Sequence, residues 1–274
     1  MQSAGLFDLQ VNGFAGVDFN DASLTAAGLD RALEAMLQDG VTGCLPTLIT
    51  AHPAELRDRI RALDAAVRES RLGPVMVPGY HIEGPFLNDG EGYRGCHPPE
   101  AMTDSSTGLI AQLGRDLFRP ILLVTLAPER DAGFDLVRQL YDAGMTVAVG
   151  HSSAGFDTIA AAADVGLTMS THLGNGLPQT LHKLDNALLA QLAEPRLTAC
   201  LIADGHHISP SALGALIRLK TPENCVLVTD AVVAAAAPVG EYSFGGMRVH
   251  RLADGRVVDE AFHGLAGLTS EELV

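Results

Sequence analysis

The sequence predicts an α/β protein of the (β/α)8 TIM-barrel class. Strand-like apolar segments alternate with amphipathic helical segments along the whole chain. Eight such repeats fit into roughly 230 residues, and a barrel of this class typically needs about 250. A doubly wound open sheet is the alternative, because hydrophobic periodicity cannot distinguish a closed sheet from an open one.

The elements follow one another in a regular order. Strands are predicted at residues 6–13, 42–49, 75–84, 121–128, 146–151, 167–172, 198–204 and 225–230. Helical segments are predicted at residues 24–40, 53–70, 134–144, 156–166 and 210–220. Several of these helices end at Gly, and Pro53 and Pro210 fall in first turns, as the termini of helices favour.

The pattern changes after Ala231. Residues 232–262 are predicted to form a β-hairpin that follows strand eight and turns at Ala253-Asp254-Gly255. A helix start is predicted at Thr269 or Ser270, which would serve as its N-cap. Because no stretch has the composition of a linker, residues 1–274 are predicted to form a single domain.

The composition limits the class of partner. Hydrophobic residues make up 47% of the 274-residue chain, which permits a large core and argues against disorder. The net charge of −15 disfavours binding to nucleic acid and to anionic membranes. The four cysteines have no CxxC spacing, and the chain opens without a charged and apolar leader. We therefore expect a cytoplasmic protein that acts on a small molecule.

Polar residues stand where five of the predicted strands end: Glu83, His151, His172, His207 and Asp230. If the strands are parallel, these residues gather at the C-terminal edge of the sheet, which is the active face of a barrel. The ordinary alternatives are a salt bridge for the glutamate and hydrogen-bonded histidines. A carboxylate with two imidazoles on one rim favours a divalent metal instead, with a position left open for water.

Asp230 is predicted to accept a proton from that water and to return it to a leaving group. A fourth metal ligand or a helix cap is the structural alternative. His206 and His207 are adjacent, and the strand argument does not choose between them. His81 shares the face of Glu83 and is interpreted as a hydrogen-bonded core histidine, with support of the metal ligands as the alternative.

Gln10 and Asn12 end the first strand, where many two-metal barrel hydrolases carry His-x-His. Amides are poor ligands for zinc compared with imidazoles. The sequence therefore predicts one metal ion and argues against a full second site.

Taken in this order, these residues resemble the N-acetylglucosamine-6-phosphate deacetylase family of the amidohydrolase superfamily. The matching segments are residues 8–13, 45–50, 81–87, 95–97, 150–152, 171–172 with Asn175, 202–207 and 227–231. They extend over nearly the whole chain, and HIEGPFL together with VGHS and LVTDA is a specific combination. The Gln-x-Asn opening is similar to that of the single-metal branch.

The resemblance implies a deacetylase that releases acetate from N-acetylglucosamine 6-phosphate. It implies Glu83, His151 and His172 as ligands of one divalent ion, with zinc expected and iron, manganese or cobalt as alternatives. Asp230 matches the catalytic acid and base. His207 matches the histidine that contacts the substrate carbonyl, which selects it over its neighbour.

The resemblance also implies contacts with the sugar and between subunits. His97 matches a histidine on a loop over the sugar, and Asn175 and Gly176 match a stretch that touches the substrate. Lys183 stands where the family has an arginine that reaches the substrate phosphate, often in the partner subunit. A lysine keeps the charge but loses the bidentate fork of arginine. A homodimer is expected.

Other positions depart from the family pattern. Gly176 replaces an alanine, Leu268 stands where a serine is usual, and the family's small β-sandwich and last barrel helix have no evident counterpart. Two other functions therefore stay open. One is a truncated or degenerate barrel that binds an amino sugar or a partner without catalysis. The other is an amidohydrolase that acts on a different N-acyl or cyclic amide.

Overall fold

The computed structural model describes residues 5–259. Its strands are β1 Leu6–Val11, β2 Gly13–Phe14, β3 Val17–Asp18, β4 Val41–Ile49, β5 Tyr80–Glu83, β6 Ile121–Leu126, β7 Thr146–Val149, β8 Leu167–Ser170, β9 Thr198–Ile202, β10 Cys225–Val228, β11 Gly240–Phe244, β12 Met247–Arg251 and β13 Val257–Asp259. Its α-helices are α1 Ala26–Gln38, α2 Pro53–Glu69, α3 Gly73–Met76, α4 Thr107–Leu113, α5 Asp135–Asp142, α6 Phe156–Asp164, α7 Ala187–Ala193 and α8 Pro210–Lys220.

Eight parallel strands form the central sheet. They are β1 and β4 to β10, each hydrogen-bonded to the next in chain order. The last strand returns to the first through a parallel bridge between Val11 and Ala231. The backbone N–H of Asp230 donates to the Gln10 carbonyl at 2.9 Å across the same seam. The sheet is thus a nearly closed barrel, which confirms the TIM-barrel prediction and excludes the open doubly wound alternative.

All eight predicted barrel strands are present, with one clear difference in extent. The third was predicted at residues 75–84, but β5 covers only Tyr80–Glu83. Residues Gly73–Met76 form the single turn of α3, with Pro74 in its first turn. Proline fits that position because it has no N–H to leave unpaired there. The five predicted helices are also present, while α3, α4 and α7 were not predicted.

The helices surround the barrel, and most of them bury apolar side chains against it. In α2 the buried residues Leu56, Ile60, Leu63 and Val67 recur at helical spacing. Apolar side chains also fill the barrel interior, among them Leu45, Leu123 and Ala148. The barrel is therefore a packed core, and its chemistry belongs to the strand ends. Within residues 5–259, no helix combines the length and apolarity needed to cross a membrane.

A three-stranded antiparallel sheet follows the last barrel strand. The predicted turn at Ala253-Asp254-Gly255 joins β12 to β13. A further turn at Gly245-Gly246 joins β11 to β12, so the segment forms two hairpins where one was predicted. A two-residue Gly-Gly connection is a recognised hairpin pattern that the sequence does contain. The helix start predicted at Thr269 or Ser270 lies outside the described residues, as does Leu268.

Candidate metal centre and active site

Glu83 is the centre of a buried cluster at the C-terminal end of the barrel. Its Oε1 lies 3.0 Å from His172 Nε2 and 3.4 Å from His151 Nε2. Its Oε2 lies 3.9 Å from His97 Nε2. All four side chains are at most 7% exposed. The carboxylate and three imidazoles therefore meet in one place, although they come from separate segments of the chain.

The backbone at this edge adopts a conformation that L-residues rarely use. His151, His172 and Asp230 each follow a barrel strand, and their φ angles are +51°, +28° and +50°. Such a conformation costs about 1–3 kcal/mol per residue and is concentrated at functional sites. It turns these three side chains into the barrel mouth at the point where each strand ends.

Hydrogen bonds at the far ring nitrogens fix the orientation of two histidines. Nδ1 of His151 donates to the Tyr93 carbonyl at 2.6 Å, because a carbonyl oxygen can only accept. The Thr50 hydroxyl donates to the Glu83 carbonyl at 3.4 Å and therefore accepts from His97 Nδ1 at 2.8 Å. With Nδ1 engaged by these partners, Nε2 of both rings is directed at the Glu83 carboxylate. Such second partners are typical of metal-ligating histidines.

Glu83 and His172 carry opposite charges in the absence of an ion. Burial by itself raises the pKa of Glu83, but hydrogen bonds from His151 and His172 hold it well below its usual range. Burial by itself lowers the pKa of His172, but its hydrogen bond to Glu83 and the charge there raise it to about 9. Burial, with His151 beside it, lowers the pKa of His97 to about 3, so that ring is neutral at pH 7. Once His172 has given up its proton, one carboxylate with imidazole nitrogens is the donor set that divalent zinc and similar ions prefer.

The geometry brings His97 closer to the ion site than the sequence predicted. Glu83, His97 and His151 offer ligand atoms that all lie within 4.8 Å of one another. His172 lies outside that group of three but makes the shortest contact with Glu83. The resemblance assigned His97 to the sugar, and the structure places it both at the edge of this cluster and in the lining of the cavity above it. A ring contact of 4.5 Å between the centroids of His97 and His151 joins the two positions.

Asp230 faces the same cavity from the end of β10. Its Oδ1 accepts a hydrogen bond from Asn12 Nδ2 at 2.7 Å. Burial and the nearby Glu83 carboxylate raise the pKa of Asp230 to about 6, against the opposing effect of His172. A carboxyl group with a pKa close to neutrality can both accept and return a proton. Asn12, at the end of the first strand, thus donates its side-chain hydrogen bond to Asp230, the proposed base.

His207 is held by a carboxylate that the sequence reasoning missed. Asp204 accepts the Nδ1–H of His207 in a short contact, and its other oxygen accepts the backbone N–H groups of His206 and His207 at 2.8 Å each. Nδ1 is therefore the engaged nitrogen, which leaves Nε2 of His207 for the cavity. The carboxylate three residues before the histidine, in IADGHH, was available in the sequence as a pointer to this pair.

A cavity of about 1030 Å³ opens above the cluster. Its lining includes Glu83, His97, His151, His172, Asn175, Gly176, His207 and Asp230, so most of the predicted site residues share one space. Lys183 is exposed and is not one of the lining residues. Asn175 Nδ2 donates to the His172 carbonyl at 3.2 Å, which ties the loop to a proposed ligand.

Gly176 packs directly on the His151 ring. A Cβ atom at this position, where φ is +60°, would lie 2.6 Å from His151 Nδ1 and 2.9 Å from Cε1. Glycine, which stands here in place of the family's alanine, therefore leaves room for the His151 ring at its observed position. His81 behaves as the core histidine that the sequence favoured, with hydrogen bonds to Thr47 at 3.2 Å and Thr125 at 2.8 Å.

Comparisons with known proteins identify relatives of this chain. The chain is 34% identical over 254 residues to N-acetylglucosamine-6-phosphate deacetylase of Danio rerio, covering 89% of this chain and 61% of that protein. It is 34% identical over 263 residues to N-acetylgalactosamine-6-phosphate deacetylase of Escherichia coli O157:H7, covering 96% of this chain and 67% of that protein. No family model matches the chain.

A solved structure also resembles this chain. The N-acetyl-D-glucosamine-6-phosphate deacetylase of Mycobacterium smegmatis superposes with a TM-score of 0.85 at 30% identity, covering 96% of this chain and 67% of that one. The chain thus spans about three fifths to two thirds of the length of the proteins that it matches.

Proposed function

We propose that this chain, which belongs to the N-acetylglucosamine-6-phosphate deacetylase family, is a metal-dependent hydrolase that removes the acetyl group from an N-acetylated amino sugar 6-phosphate. The observation that carries the proposal is the meeting of Glu83 and the histidine Nε2 atoms beside the half-buried carboxyl of Asp230. N-acetylglucosamine 6-phosphate is the first candidate substrate. The galactosamine epimer is the second, since one relative is named for it.

Glu83, His151 and His172 are the proposed ligands of one divalent ion, with zinc as the first candidate, and His97 is close enough to join them. When bound, such an ion activates water near neutral pH and polarises the acetyl carbonyl. Gln10 and Asn12 offer amide groups in place of a second set of imidazoles, which supports a single ion.

Asp230 is the proposed acid and base. Its carboxylate accepts a proton from the attacking water as the new C–O bond forms at the acetyl carbon. The same proton then passes to the sugar nitrogen as the C–N bond breaks, which leaves acetate and the free amine. The Asn12 amide holds the Asp230 carboxyl in place through both steps.

His207 is the proposed hydrogen-bond donor to the acetyl oxygen. Asp204 holds the ring through Nδ1, which directs Nε2 toward the acetyl oxygen, where an Nε2–H would donate as negative charge develops. One such donor is worth about 10²–10³ in kcat in comparable sites. Asn175 and Gly176 border the space where the sugar would lie.

The test separates metal binding from turnover. In Asp230→Asn, metal content should equal that of the wild type, while release of acetate from N-acetylglucosamine 6-phosphate should fall by about 10² or more. Glu83→Gln should lose both. Asp142→Asn, a change of the same kind at an exposed position of α5, should lose neither. Near-normal turnover in Asp230→Asn would refute the acid and base assignment.

The proposal has three further parts, which rest on the resemblance. The ion is zinc, the chain forms a homodimer, and the protein is cytoplasmic. Elemental analysis of the purified protein identifies the ion. Light scattering on a sizing column measures the mass of the assembly, and a monomer would remove the homodimer from the proposal.

A further inference from the structure

Glu129 holds the two residues that follow the proposed ligand His151 in the chain. It lies in the short helical turn Pro128–Arg130, which comes after β6 at the C-terminal edge of the barrel. Its Oε2 accepts a hydrogen bond from the Ser152 hydroxyl at 2.6 Å, and its Oε1 accepts from the Ser153 backbone N–H at 2.6 Å. One carboxylate on a neighbouring loop therefore fixes the start of the loop after β7.

The same carboxylate reaches the loop that orients the His151 ring. Oε1 of Glu129 accepts from Asn88 Nδ2 at 2.9 Å, and the Asn88 backbone N–H donates to the His151 carbonyl at 3.0 Å. Asn88 Oδ1 accepts the Gly90 N–H at 2.9 Å, and the Gly90 carbonyl accepts the Tyr93 N–H at 3.1 Å. The Tyr93 carbonyl is in turn the acceptor for His151 Nδ1. Glu129 is thus connected to both the backbone and the ring of His151.

The backbone of His151 needs such an anchor. Its φ angle of +51° lies in the left-handed region, and a residue other than glycine stays there only where the surrounding contacts impose that conformation. Ser152 is fully buried, and its hydroxyl also accepts the Ala154 N–H at 3.1 Å. The turn after β7 is therefore held by hydrogen bonds and not by its own conformational preference.

A carboxylate suits this position because every group that faces it is a donor. Its two oxygens accept four hydrogen bonds, the fourth of them from Ser153 Oγ at 3.0 Å. Hydrogen bonds to a charged acceptor are roughly twice as strong as those between neutral groups, which matters because Glu129 is exposed to water. A glutamine here would keep one acceptor oxygen and replace the other by an NH2 group, which only donates.

We propose that Glu129 is a positioning residue of the metal centre and acts through His151. By holding the loops after β5 and β7 together, it keeps the Nδ1–H of His151 on the Tyr93 carbonyl and Nε2 directed at the ion site. Glu129 does not line the cavity, so it acts without touching the substrate. The inference rests on the proposed function for the role of His151 as a ligand.

Metal affinity tests the proposal separately from turnover. Competition of the full chain with a chromogenic chelator should show that Glu129→Ala binds zinc about tenfold or more weakly than the wild type, as is usual when a ligating histidine loses its outer support. Glu129→Gln should recover part of that loss, because its amide keeps one acceptor oxygen. In the cobalt-substituted protein, the visible absorption spectrum of Glu129→Ala should differ from that of the wild type, since it reports the arrangement of the ligands.

Asp64→Asn is the matched control. Asp64 also joins separate segments through a carboxylate, which accepts the Tyr80 hydroxyl at 2.8 Å and the Phe118 N–H at 2.9 Å. Both partners lie at the N-terminal end of the barrel, at the start of β5 and before β6. The control should lower the melting temperature of the metal-free protein and leave the zinc affinity unchanged. If Glu129→Ala behaves in the same way, Glu129 is a structural residue and the proposal is refuted.

A measurement on the metal-free protein keeps the two proposals apart. Nitrogen NMR of isotope-labelled histidine identifies the protonated ring nitrogen of His151 at about pH 8, where an ordinary histidine is neutral. The signals are assigned by their loss in His151→Asn. The protonated nitrogen should be Nδ1 in the wild type, and Glu129→Ala should move part of the population to Nε2.

The combined results decide between the proposals. If the wild type releases no acetate from N-acetylglucosamine 6-phosphate, but Glu129→Ala shifts the His151 tautomer and weakens zinc binding, the deacetylase proposal fails and the positioning role stands. An unchanged tautomer together with an unchanged zinc affinity refutes the positioning role, whether or not the chain is a deacetylase.

Discussion

The substitution Gly176→Ala tests whether the His151 ring must occupy its observed position. An added Cβ would lie 2.6 Å from His151 Nδ1, much closer than a van der Waals contact, and would meet the ring where it donates to the Tyr93 carbonyl. The ring has to move, because the obstacle is the imidazole itself and not the end of a flexible chain. The hydrogen bond that fixes its tautomer is then lost.

The expected magnitude has two parts. An L-residue at φ of +60° costs about 1–2 kcal/mol of stability, which lowers the melting temperature of the metal-free protein. Loss of the hydrogen bond behind a metal-ligating histidine costs about 10–100-fold in metal affinity. Competition with a chromogenic chelator measures the affinity, and thermal unfolding in the presence of a chelator measures the stability.

Gly174→Ala provides the control. Its φ is +95°, but an added Cβ would meet nothing within 4 Å. It should therefore lose stability through backbone strain and keep the metal affinity of the wild type. If Gly176→Ala binds metal as tightly as Gly174→Ala does, His151 is not held by this contact, and its assignment as a ligand loses its geometric support.

The remaining predictions concern His207, the metal site and a buried carboxyl. Asp204→Asn should reduce kcat/KM about tenfold or more while the metal content stays constant; an unaltered kcat/KM would show that Asp204 does not act through His207. Added metal at 100 times Kd should stabilise the wild type by about 2.7 kcal/mol and Glu83→Gln hardly at all, and equal stabilisation of the two would contradict the ligand assignment. Burial raises the pKa of Asp8 from 3.8 to about 6, so the folded chain holds this proton more tightly than the unfolded chain does, and stability present below about pH 4 is lost as the pH rises through 6. In urea unfolding of the metal-free protein between pH 4 and pH 8, Asp8→Asn should remove about 2–3 kcal/mol of that decline, and parallel curves for the two proteins would contradict the assignment.

The barrel could be predicted because its pattern is local. Each strand is a short apolar run and each long helix has a continuous apolar face, so the alternation is visible in any window of the sequence. Three short helices were not predicted, because a short segment shows no such pattern. The helices α3, α4 and α7 have four, seven and seven residues, which is too short to establish a period. The turn at Gly245-Gly246 joins strands of mixed burial. It was not predicted, and the whole segment was predicted as one hairpin.

Part of the site could be predicted because it depends on strand ends. In a parallel barrel, the residue that follows each strand reaches the same rim, so Glu83, His151, His172 and Asp230 needed only the topology to be placed together. Residues on loops have no such rule. The resemblance placed His97 on a loop over the sugar, and only the structure shows that it also lies 3.9 Å from Glu83. Lys183 kept the expected charge but lies outside the cavity.

The sequence by itself determined the order of the elements and the residue types at the rim, since both follow from interactions between near neighbours. The tertiary structure decided which side chains contact one another. The closure of β1 on β10, the orientation of His151 by Tyr93, and the approach of Arg248 and Arg256 to the barrel mouth all join distant segments. Such contacts depend on packing to within a few tenths of an ångström, and no local pattern in the chain specifies distances of that kind.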